Sequence, residues 1–165
     1  MAFDTFLRIE GIPGESSDDA HKDWIEILKY SHKMEQPASG TASSSGGAGA
    51  ERVNHSAFII VKELDKASPK LAEHCCTGKP LAEVELSLNR AGGDKVEYMN
   101  YKMKHVIVTS LKPVGDSAGA SSLPTEECAF NYGTIEWTYT AQKRADGTGG
   151  GKVAAGWDCM TNKTI

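Results

Sequence analysis

The sequence predicts a mainly-β fold, a sandwich or a barrel, with one short helix. Seven to nine segments have the length and alternating polarity of strands, and turn residues separate them. One segment instead carries the start and stop signals of a helix. The 165 residues suffice for one domain that buries a core without disulfide bonds, so we expect a single domain over residues 1–165.

The strand pattern is clearest at residues 134–141, where apolar side chains alternate with threonine and glutamate. Residues 83–89 alternate in the same way, and Gly92 and Gly93 then suit the positive φ of a tight turn. A long strand is expected next, from 96 to 111, bent or broken along its length. The other predicted strands are residues 3–10, 53–62, 127–132 and, more weakly, 152–159.

A helix is expected after residue 67. Ser68 is a suitable N-cap, Pro69 suits the first helical position, and Gly78 suits the end. The segment would form about two turns. A helix of that size would cover one opening or face of the barrel.

Residues 24–34 fit two structures. The spacing of their apolar side chains favours an amphipathic helix, which Asp18 or Asp19 would cap. They also fit a strand that alternates in the normal way. The strand alternative places Trp24, Leu28 and Tyr30 on one face and Ile25 and Ile27 on the other.

Two segments cannot contribute to a core. Residues 37–50 consist mainly of glycine, serine and alanine and are expected to form a flexible loop. Residues 114–123 form a shorter loop of similar composition. Loops of this length in a compact domain are either disordered or placed against a partner.

Composition excludes several classes of partner. The net charge of −4 argues against nucleic acid, which needs clustered lysine and arginine. No apolar run approaches the ~20 residues that span a bilayer, so membrane insertion is not expected. The first residues lack the basic and apolar regions of a signal peptide. We therefore expect a chain that folds in the cytoplasm and, if exported, uses another route.

The four cysteines give no metal-binding pattern. Cys75, Cys76, Cys128 and Cys159 contain no C-x-x-C pair, and adjacent cysteines on a helix point about 100° apart. Reduced, buried, structural thiols are expected, without metal or cofactor. Residues 147–153 look like a phosphate-binding loop, but valine stands where serine or threonine would bind magnesium. A turn between strands is expected there.

No catalytic motif is present. His21 and His32 lie near Asp18 and Ser31 in sequence, so a Ser/His/Asp group can be drawn. No G-x-S-x-G elbow supports it. Glu126 and Glu127 are neighbours on a predicted strand, and their side chains would face opposite ways. The chain is therefore not expected to be an enzyme.

Short motifs occur in a defined order along nearly the whole chain. The most specific are Gly14, Glu15 and Ser16, followed by His21, and later Asp65, Ser68 and Pro69. Residues 90–93, 127–139 and 156–158 complete the pattern. In these motifs the chain resembles the haemolysin-coregulated protein (Hcp) family, the tube protein of bacterial type VI secretion. Lys33 departs from the pattern, which has glycine at this turn.

The resemblance implies a two-sheet β-barrel protomer with one short helix, in which residues 24–34 are strand. It further implies hexameric rings that stack into a tube, which a contractile sheath propels out of the cell with effector proteins in the lumen. Expected partners are other copies of the chain, effectors, and the sheath and spike proteins. A phage-type tail-tube protein has the same sequence signals. A small-molecule-binding barrel is a third alternative.

The resemblance also suggests which residues meet these partners. Ser31, at the end of the second strand, would line the lumen and contact effectors. The flexible loop would contact neighbouring protomers or rings. Its candidate interface residues are Ser39, Gly40, Ser44, Gly46, Gly47 and Gly49.

Overall fold

Twelve strands and one helix occupy the described part of the chain. In this computed structural model the described residues are 3–37, 52–92, 95–119, 123–142 and 149–165. The elements are β1 (Phe3–Ile9), β2 (Ile25–Glu26), β3 (Lys29–Ser31), β4 (Met34–Glu35), β5 (Asn54–His55), β6 (Phe58–Glu63), α1 (Ser68–Thr77), β7 (Leu81–Arg90), β8 (Glu97–Val114), β9 (Thr125–Asn131), β10 (Thr134–Gln142), β11 (Gly149–Asp158) and β12 (Lys163–Thr164). The predicted mainly-β class with one helix is confirmed.

Two antiparallel sheets share one strand, β8. The large sheet has the order β12-β11-β10-β8-β7-β1-β2, and the small sheet has the order β3-β6-β9-β8. The first half of β8 pairs with β7 and β10, and from Ile107 onward it pairs with β9. His105, at this transition, has a φ of 54°. The predicted bend is therefore real, and it carries one strand from one sheet into the other.

The two sheets do not close into a complete barrel. Among the described strands, β3 and β12 each have a partner on one side only. A separate two-stranded ribbon, β4 with β5, pairs with neither sheet. We call this element the ribbon. No helix in the described residues is long and apolar enough to cross a membrane.

The hydrophobic core receives alternate residues from both sheets. Val84, Leu86 and Leu88 of β7 are buried, as the two-residue period predicts. Strands of the small sheet contribute Phe58 and Ile60, which no solvent reaches. The remaining buried apolar residues in the middle of the core include Leu7, Ile25, Met103, Val106, Cys128, Phe130 and Ile135.

The segment 24–34 is extended, as the resemblance implied, and the helical alternative is wrong. Ile25 pairs with Leu7 in the large sheet, whereas the Leu28 amide donates to Val61 O in the small sheet. The chain therefore crosses from one sheet to the other within a few residues. Such short strands leave too few positions for a period to be recognised.

Helix α1 differs from the prediction at its start. It has ten residues rather than about two turns, and Ala67 occupies the N-cap position without a side-chain hydrogen bond. Ser68 is thus not the cap, because its hydroxyl has other partners described below. Pro69 lies in the first turn and Gly78 ends the helix with a φ of 67°, both as predicted. Leu71 is buried on the side that faces the core.

Candidate assembly and cargo surfaces

Ser31 lies on the outward face of the small sheet. Its neighbour Tyr30 pairs with buried Ile60 and packs against the core, so Ser31 points to the opposite side. Ser31 is exposed and pairs with Ile59. The same row then continues across the sheet to Ala129 and Ser110. We call this side of the small sheet the outer face.

Charged residues form the next row of the outer face. Lys29 of β3 pairs with Val61, which pairs with Glu127 of β9, which pairs with Lys112 of β8. Positive and negative side chains thus alternate along the row. The face combines an uncharged strip of Ser31, Ile59, Ala129 and Ser110 with a second strip in which three of the four side chains are charged.

The small sheet has two unpaired edges. One is β3, which pairs only with β6 among the described strands. The other is β8 from Ile107 to Val114, which pairs only with β9 there. Unpaired strand edges present free backbone N–H and C=O groups to any strand that approaches.

The large sheet extends beyond the core at β10 and β11. Ile135 is fully buried on its inward face, but two and four residues further on, Trp137 is half-buried and Tyr139 is 49% exposed. Their partners on β11 are Ala155 and Val153, and Val153 is 69% exposed. We call Trp137, Tyr139, Val153 and Ala155 the apolar extension. Trp137 lines a cavity together with Met34 and His55 of the ribbon, whereas Tyr139, Val153 and Ala155 are exposed.

The Gly14, Glu15 and Ser16 motif forms a backbone-paired turn. The Gly14 amide donates to Asp23 O at 2.7 Å, and the Ser16 amide donates to Trp24 O at 2.9 Å. A Cβ on Gly14 would lie 2.7 Å from the Cα of Ile25 and closer still to Trp24 O. Glycine is therefore required here by close backbone approach, while Glu15 is exposed and leaves the motif's outer side polar.

A Ser/His/Asp group exists, but its serine is Ser87 rather than Ser31. His21 Nδ1 lies 2.8 Å from Asp18 Oδ2, and His21 Nε2 lies 3.3 Å from Ser87 Oγ. The Ser87 hydroxyl donates to Glu97, and solvent reaches none of Ser87. Since the His21 ring also stacks on Phe6, no substrate could approach the serine. The group instead ties the motif turn to β7 and β8.

The second motif surrounds a buried lysine. Lys62 Nζ lies 2.6 Å from Glu126 Oε1 and 2.7 Å from Asp65 Oδ1, with Lys62 fully buried and Glu126 at 2% exposure. Ser68 Oγ donates to the same Glu126 oxygen at 2.6 Å and accepts the Asp65 amide at 3.1 Å. Asp65 therefore helps to offset the lysine charge, and Ser68 joins the start of α1 to β6 and β9.

The buried position of Lys62 was not predicted from the sequence. Position 62 follows Phe58 and Ile60 at the two-residue spacing, which was the available signal that its side chain is buried. Glu126 is buried and Glu127 exposed, as predicted for neighbours on a strand. Lys33, the departure from the family pattern, is not among the described residues with a positive φ, so this position does not require glycine.

The cysteines are all free thiols, and only one is fully buried. Burial raises the pKa of Cys128 to about 12, so its thiol stays protonated at physiological pH. Cys75 and Cys159 are half-buried and Cys76 is exposed, so the prediction of four buried thiols is wrong for these three. Within the described residues, no three histidine, cysteine or acidic side chains form a metal-binding group.

Two predictions concern the glycine-rich segments of the chain. Gly149 to Val153 belong to β11, so the expectation of a turn over residues 147–153 is wrong for these five. The candidate interface residues Ser39, Gly40, Ser44, Gly46, Gly47 and Gly49 lie outside the described residues.

Comparison with known proteins gives consistent matches over nearly the whole chain. The sequence model of the family described as "Type VI secretion system effector, Hcp" matches residues 6–139. The chain is 36% identical to "Protein hcp1" of Pseudomonas aeruginosa over 98% of both chains. It is 27% identical to "Major exported protein" of the same organism, over 76% of this chain and 74% of the relative.

Solved structures agree. "Structure of a type six secretion system protein" superposes with a TM-score of 0.93 at 33% identity, covering 99% of this chain and 100% of that one. "Crystal structure of Hcp1 from Salmonella typhimurium" superposes with a TM-score of 0.82 at 32% identity over the full length of both. The family model and these matches agree, and the chain belongs to the Hcp family of type VI secretion proteins.

Proposed function

We propose that this chain is the structural protomer of a type VI secretion tube. In this proposal six copies form a ring, rings stack, and effectors travel in the lumen. The observation that carries the proposal is the pair of unpaired edges on the small sheet, β3 and the second half of β8. In a ring, the β3 edge of one copy meets the β8 edge of the next, and no edge of the small sheet remains free.

Strand direction supports this repeat. Each neighbouring pair in the small sheet is antiparallel, so β3 and β8, at opposite ends of a four-stranded sheet, run in opposite directions. Joining β8 of one protomer to β3 of the next therefore continues the antiparallel order around the ring. The apolar extension would be covered by the adjacent protomer in the same assembly, which explains why it is apolar.

The outer face of the small sheet would then line the lumen. Three of the four side chains in the row of Ser31 are small, which leaves room for cargo, and Lys29, Glu127 and Lys112 make the next row hydrophilic. We propose that Ser31 contacts effectors. We further propose that residues 39–50 contact the adjacent ring or protomer, on the basis of their composition and the family resemblance.

No reaction is part of this proposal. The serine of the Ser/His/Asp group is sealed from solvent and donates to Glu97. The protein would be made in the cytoplasm and leave through the secretion machine together with sheath and spike proteins.

Export tests this function directly. The chain would be expressed in a type VI-competent bacterium whose own tube gene is deleted. We expect the chain in the culture medium and expect deletion of the sheath gene to abolish its release. Release that is independent of the sheath would contradict the proposed function.

A further inference from the structure

The ribbon is the outer end of the hairpin that β3 and β6 form. The Ser56 amide donates to Lys33 O at 2.9 Å between the two pairs of strands. Met34 and Glu35 pair with His55 and Asn54, and these four residues pair with neither sheet. The backbone therefore holds the ribbon to β3 and β6 at one end, and side-chain contacts decide whether the ribbon also lies against β9 of the small sheet. Residues 38–51 connect its two strands.

One such contact is a bridge of two histidines and a tyrosine. Tyr132 Oη lies 2.5 Å from His32 Nε2 and 2.6 Å from His55 Nδ1. Tyr132 follows β9, His32 follows β3, and His55 belongs to the ribbon. The His32 ring also packs on Phe58, with 5.1 Å between ring centres. The bridge thus joins the ribbon to two strands of the small sheet.

The hydrogen bonds require that the imidazole accepting the phenol proton is neutral. A phenol carries one proton, so Tyr132 donates to one imidazole nitrogen and accepts an N–H from the other. Burial raises the pKa of Tyr132, which keeps the phenol protonated. Burial lowers the pKa of both His32 and His55, and the proximity of His55 lowers that of His32 further.

Among the described residues, the surrounding groups do not offset the positive charge that either imidazole ring would gain on protonation. Lys33 and Glu35 pair with each other at 2.6 Å on the exposed side. Arg52 donates to Cys159 O at 2.5 Å, and burial raises the pKa of the Cys159 thiol, which stays neutral. The Asp158 carboxylate accepts the amides of Met160 and Thr161. Among the described residues, no carboxylate hydrogen bonds to His32 or His55.

Protons can reach the bridge. His55 and Tyr132 line an open cavity of about 230 Å³, together with Arg52, Trp157 and Cys159. A proton on the accepting imidazole would turn that ring into a second donor and leave the tyrosine hydroxyl without an acceptor. Two protons would place two cations on rings whose centres are 6.3 Å apart.

We propose that the His32–Tyr132–His55 bridge is an acid-sensitive latch that holds the ribbon on the small sheet near neutral pH and releases it in acid. In the released ribbon the histidines return to an ordinary pKa of about 6.5. The released state therefore binds more protons than the docked state. Docking is strongest above about pH 6.5 and weakens as pH falls, by up to about tenfold per pH unit for each histidine.

Hydrogen exchange measured by mass spectrometry tests the latch on the full chain. Peptides that cover 33–37 and 52–57 would be compared at about pH 7.5 and about pH 5, after correction for the intrinsic pH dependence of exchange. In the unaltered protein we expect exchange of these peptides to rise at least about tenfold in acid. Peptides from β7 and β8 should not change. Equal protection of the ribbon at both pH values would overturn the proposal.

Two variants separate titration from packing. In the double variant His32→Gln with His55→Asn, each amide can replace the imidazole nitrogen that contacts Tyr132, without titrating. We expect ribbon exchange that is independent of pH. Tyr132→Phe removes both hydrogen bonds and should give fast ribbon exchange at both pH values, with β7 and β8 still protected. His74→Gln, on α1, is the matched control and should keep the full acid response.

The outcomes distinguish failure of the latch proposal from failure of the proposed tube function. A double variant that retains the acid response overturns the latch, whatever its state of assembly. The β7 and β8 peptides show whether the double variant is folded. If it is not, each single variant should halve the steepness with which ribbon exchange increases in acid. An unchanged steepness overturns the proposal. Ring mass is measured separately, so failure of assembly with an intact acid response counts against the proposed function alone.

Discussion

Lys62 and Glu126 form an ion pair of 2.6 Å inside the protein, with the lysine fully buried and the glutamate at 2% exposure. Asp65 and Ser68 complete the group and connect it to the start of α1. A buried charge without its partner is costly, because neither water nor another group replaces the lost interaction. This relationship gives the family motif its physical role.

Removing one partner of that pair should be strongly destabilising. Lys62→Met leaves two buried carboxylates facing an apolar side chain, so we expect a loss of about 3–5 kcal/mol in the free energy of unfolding, measured by urea denaturation. Lys70→Met, which breaks the exposed pair with Glu73, is the control and should change stability by less than about 1 kcal/mol. A loss at Lys62 no larger than at Lys70 would contradict the assigned role.

Gly14→Ala should destabilise the motif turn. The added methyl group would collide with the backbone of Trp24 and Ile25, so we expect a loss of about 1–3 kcal/mol in the same measurement. Gly151→Ala is the matched control, because no atom lies within 4 Å of the added carbon and the backbone there needs no glycine. Equal stability of the two variants would show that the turn adapts and that close approach does not require glycine.

Thiol reactivity should follow burial. Cys76 is exposed and should react fastest with a thiol-specific reagent in the native protein, whereas Cys128 should react only after unfolding, because burial holds its pKa near 12. Peptide mapping after timed labelling distinguishes the four sites. Labelling of Cys128 at the rate of Cys76 in folded protein would be incompatible with its position in the core.

Ser31→Arg should reduce cargo without breaking the ring. The substitution adds bulk and charge to the outer face, and exposed positions usually change stability by less than about 0.5 kcal/mol. We expect unchanged ring mass and less effector in co-purification; Ser31→Gln should have a smaller effect. Undiminished effector on an intact Ser31→Arg ring would remove Ser31 from the cargo surface.

Local patterns predicted those parts of the fold that a short stretch of chain determines. The two-residue alternation located β7 and β10, and Gly78 ended the helix, because both signals act on neighbouring residues. The transition of β8 between sheets appeared only as an expected bend. Residues 24–34 remained ambiguous because their strands have two or three residues, too few to establish a period.

The candidate sites were predictable only in part. Ser31 was identified by resemblance, but its outward direction depends on pairing with Ile59 of another strand. Ser87 joins His21 although the two are 66 residues apart, and Lys62 and Glu126 are similarly remote. Strand register creates such pairs, and register depends on the whole sheet rather than on local sequence.

The mass of the protein in solution tests directly whether the chain forms a six-membered ring. Light scattering at micromolar concentration should give six protomers of 17.7 kDa for the unaltered chain. Val153→Asp places a charge on the apolar extension and should shift this mass toward the monomer, while Leu64→Asp, at an exposed leucine elsewhere, should leave the ring intact. If the unaltered chain is a monomer at that concentration, the proposed tube function is contradicted.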